Sequence, residues 1–196
     1  LVRYTGYVDG ANAPEAPKGV GEDEVIVSCG GGAVGQHLLE AAVDAASLSR
    51  RAEDATWRIL AGHDIADDIM DALLRRAPAH VIVERVRRDF PSLLMRARAS
   101  VSQAGYNTVL DILSAGIPAV FVPFAQIKET EQQQRAQALA AKGCAVVISE
   151  KTLTPEGLAA ALDDALALPR KRFQVRLGGA QASAEILLAD LKERFS

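Results

Sequence analysis

Ser102-Gln103-Ala104-Gly105-Tyr106-Asn107-Thr108, then Ile117-Pro118-Ala119-Val120-Phe121-Val122-Pro123-Phe124, then Glu131-Gln132-Gln133-Gln134-Arg135, is the stretch that decides the fold. Ala104 and Gly105 make a turn without bulk that opens a helix. The apolar run from Ala119 reads as a buried strand, and the next helix starts with a carboxylate and amides. A helix that opens on small residues presents bare backbone N–H groups, which favour an anion. Glu131 and Gln132 offer acceptors and donors for hydroxyls. In an α/β protein these features fall along one edge of the sheet. That edge suits a ligand carrying both a diphosphate and hydroxyls, as a nucleotide-sugar does.

Working outward, strand and helix patterns alternate. Val25–Cys29 reads as a buried strand stopped by Gly30-Gly31-Gly32, and a helix follows from Gln36 to Leu48 with Leu38, Leu39, Ala42, Val43 and Ala46 on one face. Strands are expected at Thr56–Leu60, His80–Val83, Ala99–Ser102, Ala119–Val122 and Ala145–Ile148. Helices are expected at Ile65–Arg76, Pro91–Met95, Tyr106–Ala115, Thr130–Ala141, Thr154–Ala167 and Ala180–Phe195. Such alternation predicts an α/β fold, a Rossmann-like parallel sheet with helices on both faces. Residues 1–23 are rich in Gly, Pro and Ala and read as an interdomain linker with one short strand around Val2–Tyr7. Residues 24–196 then form the folded domain.

Bulk properties narrow the function classes. A chain of 196 residues with 49% hydrophobic and 24% charged residues suits one large globular domain. A net charge of −3 gives no footprint for nucleic acid. No apolar run approaches the roughly 20 residues that span a bilayer. The start at Leu1 resembles neither a signal peptide nor a native N-terminus, so the chain reads as a piece of something longer. Cys29 and Cys144 have no metal-site spacing and read as free thiols in a reducing cytoplasm. The basic group Arg170-Lys171-Arg172 with Arg176 reads either as a solvated face or as a group attracting a phosphate or, peripherally, the inner face of the membrane.

Gly30-x-Gly32-x-x-Gly35 matches the dinucleotide fingerprint, in which glycines let backbone approach a phosphate at a helix N-terminus. That fingerprint also expects an acid at the end of the second strand to hold a ribose. Here the strand ends in Ala61-Gly62-His63, and Asp64 lies beyond it. Three readings stand: a nicotinamide or flavin cofactor, a plain tight turn, and a loop facing another phosphate or sugar. In the second turn, Ser102 or Thr108 offers a hydroxyl, and Asp111 either meets a ribose or is simply solvated. Arg85, Arg87 and Arg88 flank the carboxyl end of the third strand, near where a base or phosphate would lie. His37, His63 and His80 are scattered without partners, so no catalytic residue is named. Asp67-Asp68 and Asp163-Asp164 sit within helices as solvated pairs rather than a strand-end metal motif.

Ser102–Gly105, Asp111, Ala115-Gly116-Ile117-Pro118, Val122-Pro123-Phe124 and Glu131-Gln132 together resemble the C-terminal domain of MurG-like glycosyltransferases (family 28, GT-B fold). The likeness is strongest to a bacterial branch with a Gln-Ala-Gly-Tyr-Asn-Thr turn and a Glu-Gln-x-x-Arg helix, and it covers about residues 20–165 plus Tyr4–Val8. The resemblance implies a two-domain enzyme transferring a sugar from a nucleotide diphosphate, usually UDP-linked, without a required metal or other cofactor. It also implies a separate N-terminal domain that supplies the acceptor site and any catalytic base. By position, Gly30, Gly31 and Gly32 would border the donor phosphates and Val86 would hold the base through backbone groups. Ala104 and Gly105, with Ser102, would cradle the diphosphate, Asp111 would take the ribose, and Glu131 with Gln132 would read the sugar. The chain departs from the pattern at Gly32, where a serine is common, at Asp111, where Glu is usual, and around Asp9-Gly10, where an arginine is expected. A non-catalytic nucleotide-sugar-binding subunit, a nicotinamide-dependent oxidoreductase and a nucleotide-sugar epimerase are the rival readings.

Overall fold

The computed structural model describes residues 3–7, 13–32, 34–124, 130–170 and 178–195. Among these residues six parallel strands, β1 (Val25–Ser28), β2 (Trp57–Ala61), β3 (Val81–Arg85), β4 (Ala99–Ser102), β5 (Ala119–Phe121) and β6 (Val146–Val147), form one sheet in the order β3-β2-β1-β4-β5-β6. Helices α1 (Gln36–Ala45), α2 (Asp67–Arg76), α3 (Phe90–Arg96), α4 (Tyr106–Ala115), α5 (Glu131–Ala140) and α6 (Pro155–Leu166) alternate with the strands, and α7 (Gly179–Phe195) follows. The Rossmann-like parallel sheet read from the sequence is the one observed. The strand expected around Val2–Tyr7 is not: its described residues, 3–7, hold no strand and instead run beside α7, where Gly179 N–H donates to the Tyr7 carbonyl.

Alternation along each strand separates two apolar layers. Val25, Val27, Trp57, Ile59, Val83 and Val101 pack with α1, α2 and α6 on one face. Ile26, Leu60, Ala119 and Phe121 pack with α3, α4 and α5 on the other. Burial on both faces explains why these strands read as continuous apolar runs.

Two polar devices lie within this frame. Arg58 projects from β2 and forms a buried bidentate pair with Glu24, at 2.6 and 2.8 Å, while a third bond reaches Glu84 at 2.8 Å. Asp163 of α6 accepts from Ser49 Oγ at 2.7 Å and from the Arg50 and Arg51 N–H groups at 3.1 and 3.0 Å. The sequence suggested a solvated aspartate at 163; it is instead the clamp that ties α6 to the chain following α1. Ahead of β1, Ala16 is buried, its N–H donating to Ser92 Oγ, and Arg96 donates to the Ala16 and Pro17 carbonyls.

Candidate functional site

Strand order fixes where a ligand fits. β1 and β4 are neighbours, yet the helices that follow them leave to opposite faces. The chain parts there and opens a crevice at the carboxyl edge, the place where open α/β sheets take their ligands. Ser28 and Ser102 face each other in register at its floor.

Steric demands explain the glycines of the first loop. Gly35 precedes α1 at φ +104°, and a Cβ there would overlap the Cys29 Cβ. A Cβ on Gly62, at the end of β2, would overlap the Gly32 carbonyl oxygen, and His63 N–H donates to the Gly31 carbonyl at 3.1 Å. The loop is thereby pressed onto the neighbouring strand end. Outward it is open: nothing lies within 4 Å of where a Cβ on Gly30, Gly31 or Gly32 would stand.

The turn after β4 has a buried side and an open side. Ser102 and Ala104 are fully buried and Gln103 nearly so, whereas Tyr106 and Asn107 are exposed. The Ser102 hydroxyl, expected to face a ligand, is instead sealed beneath the turn without a partner. Strand alternation aims it into the core, so the turn offers backbone rather than that hydroxyl. A Cβ on Gly105 would meet only Thr108 Oγ1, at 3.9 Å. The space above this residue is open.

Electrostatics mark the same place, although among the described helices α3 and α7 also carry no acidic residue in their first turn. Neither α1 nor α4 has a side-chain cap or an acidic residue in its first turn. By contrast α2 opens with Asp67 and Asp68, α5 with Glu131, and α6 with Glu156 and a Thr154 cap. The two helices bordering the crevice therefore leave their positive N-termini uncompensated, a configuration that an anion completes. Asp111, within α4, is half-buried, and burial alone pushes its carboxyl up to about 6.

The remaining candidates distribute around this centre. Gln132 Oε1 accepts from Phe124 N–H at 3.2 Å, which leaves its amide N–H groups as donors. Glu131 is 84% exposed. Residues 125–129, between β5 and α5, lie outside the described set. Val86 donates its N–H to the Ala61 carbonyl at 2.7 Å. Of the flanking arginines, Arg85 binds the Gly62 and Ile65 carbonyls and Asp67, and Arg87 chelates Asp89 at 2.9 and 2.7 Å. Those two are committed to holding the loops rather than a ligand; Arg88 is exposed. His37 and His63 are exposed, and His80 Nε2 lies 3.3 Å from the Ala46 carbonyl oxygen. Of the basic group, Arg170 reaches the Ala97 and Arg98 carbonyls, and Lys171, Arg172 and Arg176 lie outside the described residues. Cys29 is buried, which pushes its thiol pKa up, while Cys144 is only partly buried.

Arg135, part of the Glu-Gln-x-x-Arg helix but given no role from the sequence, stands at the centre. Arg135, on α5, donates through Nη1 to the Ala104 carbonyl at 2.6 Å, and its guanidinium lies 5.9 Å from the Tyr106 ring centroid. Its spacing of four from Glu131 was the available signal, since such pairs share a helix face.

The family model described as the glycosyltransferase family 28 C-terminal domain matches residues 25–187. The chain belongs to this family. Among relatives of the family 28 domain is the UDP-N-acetylglucosamine--N-acetylmuramyl-(pentapeptide) pyrophosphoryl-undecaprenol N-acetylglucosamine transferase of Allorhizobium ampelinum. It is 30% identical over 184 residues, which cover 92% of this chain and 49% of that protein. The chain thus spans about half the length of the curated relatives it matches. Two solved structures share the fold. The calicheamicin glycosyltransferase CalG4 aligns with a TM-score of 0.66 and 22% identity, covering 92% of this chain and 45% of that one. MurG of Acinetobacter baumannii aligns at 0.64 and 20%, covering 86% and 50%. The oxidoreductase reading of Gly30–Gly35 is set aside: β2 ends in buried Ala61 and Gly62, with no carboxylate there for a ribose.

Proposed function

We propose that this family 28 domain is the donor-binding half of a glycosyltransferase that moves a sugar from a nucleotide diphosphate, in the first instance UDP, to an acceptor hydroxyl. The carrying observation is the pair of uncapped, acid-free helix N-termini meeting at the crevice between β1 and β4. The relatives' printed activity, transfer of N-acetylglucosamine from a UDP carrier, supports UDP-N-acetylglucosamine as the first donor to try.

In this reading the diphosphate lies across the Gly30–Gly32 loop and the backbone of Ala104 and Gly105. Val86, whose N–H is held by the Ala61 carbonyl, meets the base through its own carbonyl, Asp111 the ribose, and Glu131 with Gln132 the sugar. As the acceptor oxygen attacks the anomeric carbon, the bond to the diphosphate breaks and negative charge grows on the leaving oxygens. Preorganised N–H groups at α1 and α4 stabilise that charge, and one such donor is worth roughly 3 kcal/mol, about a hundredfold in rate. The acceptor, and the base that takes its proton, belong to a further N-terminal domain.

Titration of the full-length protein with UDP, UDP-N-acetylglucosamine, dTDP and NADH by calorimetry tests this. Binding of a nucleoside diphosphate and its sugar, abolished by Gly105→Val while the melting temperature holds, is the supporting result. Binding of NADH with no response to any nucleotide-sugar overturns it. Since helix N-termini carry the charge stabilisation, transfer should proceed undiminished in excess EDTA; loss of turnover restored by Mg²⁺ would reject that assignment.

A further inference from the structure

We infer that Arg135 is a positioning residue that fixes the diphosphate cradle and adds a positive charge to it, an inference that rests on the donor-site reading above. Arg135 projects from α5, yet its Nη1 bonds to the carbonyl of Ala104, on a different segment, at 2.6 Å. A trans peptide holds its C=O and N–H on opposite sides of one plane. Pinning the Ala104 carbonyl toward α5 therefore fixes the Gly105 N–H to point away from α5. Gly105 is the residue before α4, has no side chain of its own to orient it, and stands at the uncapped N-terminus.

The charge itself is informative. A guanidinium beside a helix N-terminus meets the positive end of the dipole, an unfavourable placement. The only carboxylate paired with Arg135 among the described residues is Glu131, loosely, at 3.8 Å and largely in solvent. The placement becomes favourable once an anion occupies the crevice. Tyr106, the first residue of α4, supports the guanidinium from one side and packs against Tyr7 with ring centroids 5.7 Å apart and planes tilted by 42°. The guanidinium plane is thereby held from two directions, by a carbonyl and by a ring.

Arg135→Ala in the full-length protein, titrated with UDP and dTDP by calorimetry and with uridine by NMR, separates this role from a merely structural one. The expected result is a loss of about tenfold or more in diphosphate affinity, as for a hydrogen bond involving a charged group. Uridine affinity should stay within twofold and the ligand-free melting temperature within a few degrees. Two outcomes overturn the inference: diphosphate affinity as in the parent protein, or an equal loss for uridine and the diphosphates. A parent protein that binds neither UDP nor dTDP refutes the donor-site reading itself, before Arg135 is brought into question.

Discussion

Single residues around the crevice should trade stability against ligand capture. Asp111 is held protonated more readily in the folded chain than in the unfolded one, with its carboxyl at about 6 against an ordinary 3.8. The folded state thus retains a proton that the unfolded state releases, and stability falls as pH rises between these values. Asp111→Asn should therefore raise the melting temperature at pH 7.5 and leave it little changed at pH 3.5. The same substitution should weaken nucleoside diphosphate binding, and in the parent protein that binding should weaken as pH falls through 6. Thermal melts and titrations across this range read both effects. Glycine positions divide just as sharply. Gly35→Ala places a methyl group against Cys29 at a left-handed φ and should cost about 2–4 kcal/mol in urea denaturation. Gly105→Val meets open space and should leave that measurement within about 1 kcal/mol. Sequence spacing showed that both were glycines before helices; it did not show which one faced the core, because that depends on what the fold brings alongside.

Between elements, polar clamps do what apolar periodicity does not announce. Asp163 joins α6 to the segment after α1 with three hydrogen bonds from groups over a hundred residues away in the chain. Asp163→Ala should destabilise the protein by about 2–3 kcal/mol with an unchanged dependence on denaturant, since the Ser49 hydroxyl and two N–H groups lose their acceptor. A shallower denaturant slope would show that α6 detaches on its own instead. The element boundaries themselves were legible: α4 was read at Tyr106–Ala115 and is found there, and the strands differ by a residue or two at their ends. Periodicity and glycine stops are local signals. The partners of Asp163 and Arg135 are not, and neither residue announced its role in the chain. The sealed Ser102 hydroxyl is an intermediate case: the alternation of β4 would have aimed it inward had strand parity been carried one residue past the apolar run.

At the scale of the whole molecule, the two faces of the sheet are unequal. One is closed by α1, α2 and α6 over a continuous apolar layer, whereas on the other the stretch at β2 and β3 is filled by Arg58 between Glu24 and Glu84. Removing one member of such a buried set leaves its partners desolvated, so Glu24→Ala should cost about 3–5 kcal/mol. Replacing Arg58 and Glu24 together with apolar residues of similar volume should cost far less; equal losses would contradict this reading of the cluster. The parallel topology and the helices on both faces follow from alternation along the chain, which is why they were legible in the sequence, whereas the crevice between β1 and β4 depends on a strand order that alternation does not give. The packing of Gly62 beneath the Gly32 carbonyl carries one last consequence. A loop braced by its neighbouring strand end has little conformational freedom left to surrender when a guest arrives. Capture should then be fast and governed by shape, with small entropic resistance, and slightly longer or bulkier head groups should be turned away at the door rather than accommodated.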